Sequence, residues 1–185
     1  MCPSQPPLEI LMSRPALIVI DLQNDYFPGG AFALADTEAT LAQVEAAMAA
    51  ARARGVPVVH VQHVADPAAG LSPFFNAGTE GVQIHPRVLA AAPDAPVVIK
   101  HFADSFERTT LKATLDSLGV DELIVCGMMT QNCVTHTAIS KQAESFAKVT
   151  VLSDASTTVS EMLHAIALHA LSTRVRLATV AEALG

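Results

Sequence analysis

The 185 residues contain no tryptophan, one tyrosine and three cysteines, and no two cysteines form a C-x-x-C pair. An odd number of widely spaced cysteines excludes a disulfide framework and offers no zinc-site spacing. Cys2, Cys126 and Cys133 are therefore read as free thiols, one of them available for chemistry. Basic residues are scarce: 11 Lys and Arg against 18 Asp and Glu leave a formal charge of −7. Without a basic cluster the chain lacks the electrostatic footprint of a nucleic-acid or anionic-membrane binder. No apolar run approaches the ~20 residues that span a bilayer. The longest near the start, Ala16 to Leu22, is broken by Asp21. Residues 1–12 carry neither the basic segment nor the long apolar core of a secretory signal, and Met12 is a candidate second start, so the expected location is the cytoplasm. Apolar side chains are abundant, 51% against 16% charged, which excludes disorder over nearly the whole length.

The tail Met1 to Ser13, with Pro3, Pro6 and Pro7, is the exception and reads as disordered. A single domain is expected over 14–185. Within it, β-rich runs alternate with Ala/Leu-rich stretches. The strand candidates are Leu17–Asp21, Val58–Val61, Val97–Lys100, Glu122–Cys126, Val149–Leu152 and Val175–Ala178. Most are solidly apolar, as parallel strands covered on both faces are, so the class is α/β. Helices are expected over Glu38–Arg54, stopped by Gly55, from Thr109 or Thr110 to Leu118, and from about Gln131 to Phe146. A last one carries the stripe Val159, Met162, Leu163, Ile166, Ala170 and Leu171. The stretch Ala65 to Pro96 is rich in Pro and Gly and too long for a simple connector, as lids and binding walls are.

Three chemically active residues fall at strand ends. Asp21 follows four apolar strand residues, which puts its carboxylate at the carboxyl edge of the sheet, where open parallel sheets bind ligands. Lys100 occupies the same position after Val97, Val98 and Ile99. The third such strand end is that of Glu122–Cys126, which runs into Gly127 and then into a helix that Thr130 is placed to cap, with Cys133 in its first turn. There the helix dipole favours thiolate, and unpaired backbone N–H groups can stabilise an oxyanion. Each residue alone has an ordinary reading: a cap, a solvated strand end, a small buried hydrophobe. Together they supply a base, a cation and a nucleophile on three edges of one sheet.

The segments that hold them, Asp21-Leu22-Gln23-Asn24-Asp25-Tyr26-Phe27, Lys100 with Ser105-Phe106, and Gly127-Met128-Met129-Thr130-Gln131-Asn132-Cys133-Val134, resemble the isochorismatase-like cysteine hydrolases. That family includes nicotinamidases and N-carbamoylsarcosine amidohydrolases, and the resemblance runs from Pro15 to the C-terminus. It implies a three-layer α/β/α fold around a six-stranded parallel sheet of order 3-2-1-4-5-6, with Asp21, Lys100 and Cys133 as catalytic triad. It also implies a cis Met128–Met129 peptide that sets the Met129 N–H beside that of Cys133 as oxyanion hole. The implied reaction is hydrolysis of a small amide or related C–N bond through a thioester. In this strand order the lysine starts two positions from the first strand, at ~4.8 Å each, so it must lean across the strand between.

Phe27, Phe75 and Thr130 are the candidates for the substrate pocket. The loop bearing Phe74 and Phe75 resembles a family segment that closes over the substrate, often between subunits, so a homo-oligomer, dimer or tetramer, is expected. Nicotinamidase-like relatives bind a metal through an Asp-x-His pattern. No aspartate precedes His60 at that spacing, and His60 and His63 face opposite sides of a regular strand. No metal and no cofactor are therefore expected, and His60 reads as a hydrogen-bonded core residue. Cys126 reads as core, His101 and His136 are given no role, and His164 and His169 read as surface or edge residues. Two other functions compete: a vinyl-ether hydrolase in which the aspartate is the acid and no cysteine is needed, and a flavodoxin-like binding or redox module with Cys133 as structural or sensing thiol.

Overall fold

In the computed structural model, which describes residues 13–185, the apolar runs become six strands: β1 (Pro15–Ile20), β2 (Val58–His63), β3 (Val97–Lys100), β4 (Glu122–Met128), β5 (Lys148–Thr157) and β6 (Arg176–Ala178). All pairings are parallel, in the order β3-β2-β1-β4-β5-β6. The expected tail, apart from Ser13, lies outside the described residues, as does Cys2. The central strands β1 and β4 are buried along almost their whole length. Because side chains alternate between faces, Leu17 and Val19 join one core and Ile18 and Ile20 the other. Helix α1 (Thr37–Ala53) covers the first with Leu41, Val44 and Met48, and α3 (Leu111–Ser117) covers the second with Leu111 and Leu115. Among the described residues no helix is long and apolar enough to cross a membrane.

Three departures from the sequence reading matter for the site. First, the helix expected over 131–146 is broken. Thr130–Val134 winds as a π-helical turn, α4 is only Thr135–Ala138, and a 3-10 turn follows at Ala143–Ser145. The reason is local competition from hydroxyl side chains. Thr135 Oγ1 donates to the Thr130 carbonyl, Thr137 Oγ1 donates to Ser105 Oγ while accepting from the Ser105 N–H, and Ser140 Oγ donates to Asp104. Those bonds lock the segment after β3 to the segment after β4. Second, the long stretch 65–96 includes a six-residue helix α2 (Pro86–Ala91), opened by Pro86 at its first position and by His85, whose Nδ1 accepts from the Arg87 N–H. Third, most of the stripe that runs into α5 (Glu161–Leu171) turns away from the molecule's own core. Ala167 and Leu171 are buried, whereas Val159, Met162 and Ile166 are 45%, 76% and 59% exposed. Periodicity reveals an apolar face but not what it faces. The chain closes with α6 (Val180–Leu184), held by a Thr179/Glu182 capping box.

Gly127 is required where β4 meets β1. Its φ is +127°, and a Cβ there would stand 2.1 Å from the Ile20 carbonyl oxygen. Only glycine lets the two strands stay this close just before the cysteine-bearing turn.

Candidate active site

The carboxyl ends of β1, β2, β3 and β4 deliver the reactive groups to one place. Asp21 follows β1 in the left-handed region, φ 55°, a conformation that aspartate tolerates better than most side chains. Lys100 ends β3, and its side chain passes His63, its register partner on β2, to reach Asp21. Its Nζ lies 2.8 Å from Asp21 Oδ2 and donates to Cys133 Sγ at 3.2 Å. Asp21 and Lys100 are fully buried and Cys133 is 3% exposed. Among the described residues no hydrogen-bond donor in good geometry reaches either Asp21 oxygen, so the lysine charge at 2.8 Å is what compensates that carboxylate. The Met128–Met129 peptide bond is cis, and Met129 precedes the turn that holds Cys133.

The electrostatics correct one expectation. Burial pushes the Cys133 thiol up to about 12, Asp21 adds to that, and only Lys100 opposes it. The first turn of a regular helix would favour thiolate, but here a π-helical turn lies in a nearly dry site and desolvation outweighs it. The resting sulfur is a thiol with a carboxylate beside it. Burial also works against the Lys100 charge, but Asp21 and Cys133 more than offset it, and the ammonium is held above its ordinary value. Tyr26 is kept protonated by burial first and then by Asp21, Cys133 and Asp25. Cys126 is fully buried, with its thiol pushed upward mainly by burial, as a core residue should be.

Several residues in the site carried no role in the sequence reading. His63 Nδ1 lies 3.0 Å from Lys100 Nζ. The apolar run of this strand stops at Val61, so no sequence signal put His63 at the end of β2; its register with Lys100 on β3 does. Gln23 clips it in place, since Gln23 Oε1 accepts from the His63 N–H and Nε2 donates to the His63 and Val82 carbonyls. Asp25 accepts from the N–H groups of Phe75 and Ala31, fastening the long stretch over the end of β1. A Cβ on Gly81 would collide with that carboxylate. His164 is half-buried rather than superficial, and its Nδ1 lies 2.8 Å from Thr130 Oγ1. One donor atom each from Asp21, His63 and Cys133 falls within 4.8 Å of the others, and the cation facing all three is the Lys100 ammonium. His60 is a core residue whose Nε2 meets the Ala92 carbonyl.

The pocket candidates are dispersed. Phe75 is buried, its ring 4.5 Å from Tyr26 and 5.9 Å from His63. Thr130 is fully buried as the first residue of the cysteine-bearing turn. Phe27 packs on His85 with ring centroids 4.4 Å apart and lines a cavity of about 480 Å³ with Asn24, Gly30 and Glu80, whose wall includes neither Asp21, Lys100 nor Cys133.

The buried histidines give a stability prediction. Burial lowers both His60 and His63, the latter to about 4 with help from the Lys100 charge. A base depressed in the folded state contributes stability that is complete above its unfolded value and is lost as pH falls through the folded one. Resistance to urea should therefore be flat above about pH 7 and decline between about pH 6.5 and 4. Urea midpoints at several pH values check this, and His63→Asn should flatten part of the slope.

The isochorismatase domain model matches residues 15–183. An isochorismatase family protein of Bacillus subtilis, YddQ, is 42% identical over 68% of this chain and 68% of its own length. N-carbamoylsarcosine amidase of an Arthrobacter species is 34% identical over 72% of this chain and 56% of its own. Among solved structures, a cysteine hydrolase from Pseudomonas syringae pv. phaseolicola superposes with a TM-score of 0.81 at 26% identity, over 91% of this chain and 89% of that one.

Proposed function

The chain belongs to the isochorismatase family of hydrolases, and from that premise we propose that it cleaves a small amide or related C–N bond through Cys133, Asp21 and Lys100. The observation that carries this is the convergence of a carboxylate, an ammonium and a thiol from three strand ends, within 3.2 Å of the lysine nitrogen and out of water. Asp21 takes the thiol proton as Cys133 Sγ attacks the carbonyl carbon. The developing oxyanion is received by the N–H groups of Met129 and Cys133. Lys100 stays charged and stabilises the anion, which moves from Asp21 to sulfur and then to the oxyanion. Collapse expels the amine, which takes its proton from Asp21 and leaves a thioester. Water, deprotonated by Asp21, then releases the acid and restores the thiol. Phe75, packed beside His63, walls the substrate, and Thr130 opens the turn that carries Cys133.

The test is a panel of small amides and ureido compounds, read as released amine or ammonia and, after acid quench, as acyl mass on the intact protein. An adduct mapped to Cys133 supports the reading. Turnover of a vinyl ether by Cys133→Ala, with no adduct from any amide, would establish the aspartate-acid alternative instead. A wild type inert toward the whole panel, with Cys133 no more reactive than Cys126, would favour the binding module.

The same reading includes self-association. From Met162 to Thr173 the chain has no Asp, Glu, Lys or Arg, while the protein as a whole carries −7. Two copies that repel overall can meet at low electrostatic cost along such a face, where Met162 and Ile166 are exposed, with Val159 exposed just before the helix. A dimer or tetramer is expected in sedimentation, and Ile166→Glu should dissociate it. Because α5 also carries His164, bonded to Thr130, dissociation should lower activity as well. A wild type that sediments as a fully active monomer would contradict this.

A further inference from the structure

We propose that His63 is a positioning residue, whose neutral imidazole accepts a hydrogen bond from Lys100 at Nδ1 and fixes the ammonium between Asp21 and Cys133. The inference rests on the reading of these three residues as catalytic, but its test does not depend on turnover.

An ammonium has three N–H bonds and only donates. Lys100 Nζ has four partners within 3.2 Å: an ion-pair contact with Asp21 Oδ2 at 2.8 Å, and three hydrogen-bond acceptors, His63 Nδ1 at 3.0, the Phe102 carbonyl at 3.2 and Cys133 Sγ at 3.2 Å. Two of them change during the reaction. Asp21 gains a proton, and the sulfur becomes part of a thioester. The imidazole and the Phe102 carbonyl do not change, so they are what keeps a fully buried cation solvated and in place through the cycle. Because Nδ1 faces a donor, it is the unprotonated ring nitrogen, and the ring proton sits on Nε2. The depressed basicity of His63 agrees with a ring that stays neutral at ordinary pH.

The residue is built to hold that pose. Gln23 pairs with both the N–H and the carbonyl of His63, and Phe75 packs against its ring. The titratable and charged groups around the lysine are Asp21 beyond β1, His63 on β2 and Cys133 beyond β4, with Tyr26 and Asp25 behind Asp21 and His101 beside His63. Of these, His63 is a neutral acceptor in direct contact with the ammonium. Removing it should favour the uncharged amine.

Replacing the ring separates positioning from packing. The Oδ1 of asparagine takes the place of Nδ1, leucine fills the space without an acceptor, and glutamine carries its acceptor one bond farther out. The readout is the titration of the Lys100 side chain by carbon and nitrogen NMR of the intact protein, alongside the rate of Cys133 alkylation by iodoacetamide against pH. We expect His63→Leu to lower the Lys100 midpoint by about one pH unit or more, a tenfold change in proton affinity. The alkaline limb of alkylation should shift with it. His63→Asn should restore both and His63→Gln should not. Should His63→Leu fail to fold, the Asn and Gln pair carries the same comparison. Lys100 titrating as in wild type in His63→Leu, or alike in the Asn and Gln variants, would overturn the proposal. Failure of the catalytic reading looks different: wild-type Cys133 would be alkylated no faster than Cys126, while the Lys100 midpoints would still decide the role of His63.

Discussion

Cys133→Ala is expected to reduce turnover of the amide identified by the substrate panel by about 10⁴-fold or more, with stability little changed. The size follows from the mechanism. Without the sulfur no thioester forms, and Asp21 has only water to activate against the unactivated amide. What survives is binding and oxyanion stabilisation, which in triad enzymes leave a small residual rate. Serine at the same position is instructive because it keeps the shape and a proton for Asp21. Its alkoxide is harder to generate than thiolate, so Cys133→Ser should also fall by several orders of magnitude. The thiol is a resting acid pushed to about 12, so the wild-type rate depends on proton transfer during attack, and a solvent deuterium effect on acylation should accompany it. The measurement is amine release by wild type and both variants at equal concentration. A Cys133→Ala protein that retains more than about a tenth of wild-type amide turnover would remove the cysteine from the mechanism.

Asp21→Asn is expected to cost both activity and stability, and the two losses have separate causes. Activity should fall by about 10³-fold or more because the acceptor for the thiol proton is gone. Stability should fall by roughly 3–5 kcal/mol because an ammonium in a fully buried position loses its counter-charge. Lys100 is held above its ordinary value in the folded protein, so its contribution to stability is complete below the unfolded value and is lost as pH rises through the folded one. Without Asp21 that alkaline loss should begin at lower pH. The double variant Asp21→Leu with Lys100→Met removes both charges. It should recover much of the stability and none of the activity, since buried ion pairs often stabilise no better than well-packed apolar groups. Urea unfolding at pH 7 and at pH 10, with amine release in parallel, distinguishes the terms. If Asp21→Asn unfolds at the wild-type midpoint, the pair is not the buried, mutually dependent unit described.

The layers of the fold were readable because the core-facing strands are continuous apolar runs, and Val97–Lys100 was placed residue for residue. The ends of the other strands were not, since Gln62, His63, Gly127, Ser153, Asp154, Ser156 and Thr157 extend strands without being apolar. Their place in the sheet is set by register with a neighbour. The cysteine-bearing segment was harder still. One helix was expected from about Gln131 to Phe146, but the hydroxyls of Thr137 and Ser140 bond across the chain to Ser105 and Asp104, which local propensity does not contain.

For the site, residue order along the chain sets which residue types end β1 and β3 and which enter the turn after β4, and hence that a carboxylate, an amine and a thiol lie along one edge. That the lysine crosses β2 follows from the strand order, but that His63 meets it there as an acceptor, and that the thiol rests protonated, emerge only once the sheet is assembled. The tertiary structure also decided that α5 turns most of its apolar stripe outward while His164 holds Thr130 from within. The physical reason is that chemistry at a strand end follows from local order along the chain. Burial, charge compensation and the partner of a side chain depend on residues tens of positions away, which the sequence brings close only when the sheet is assembled.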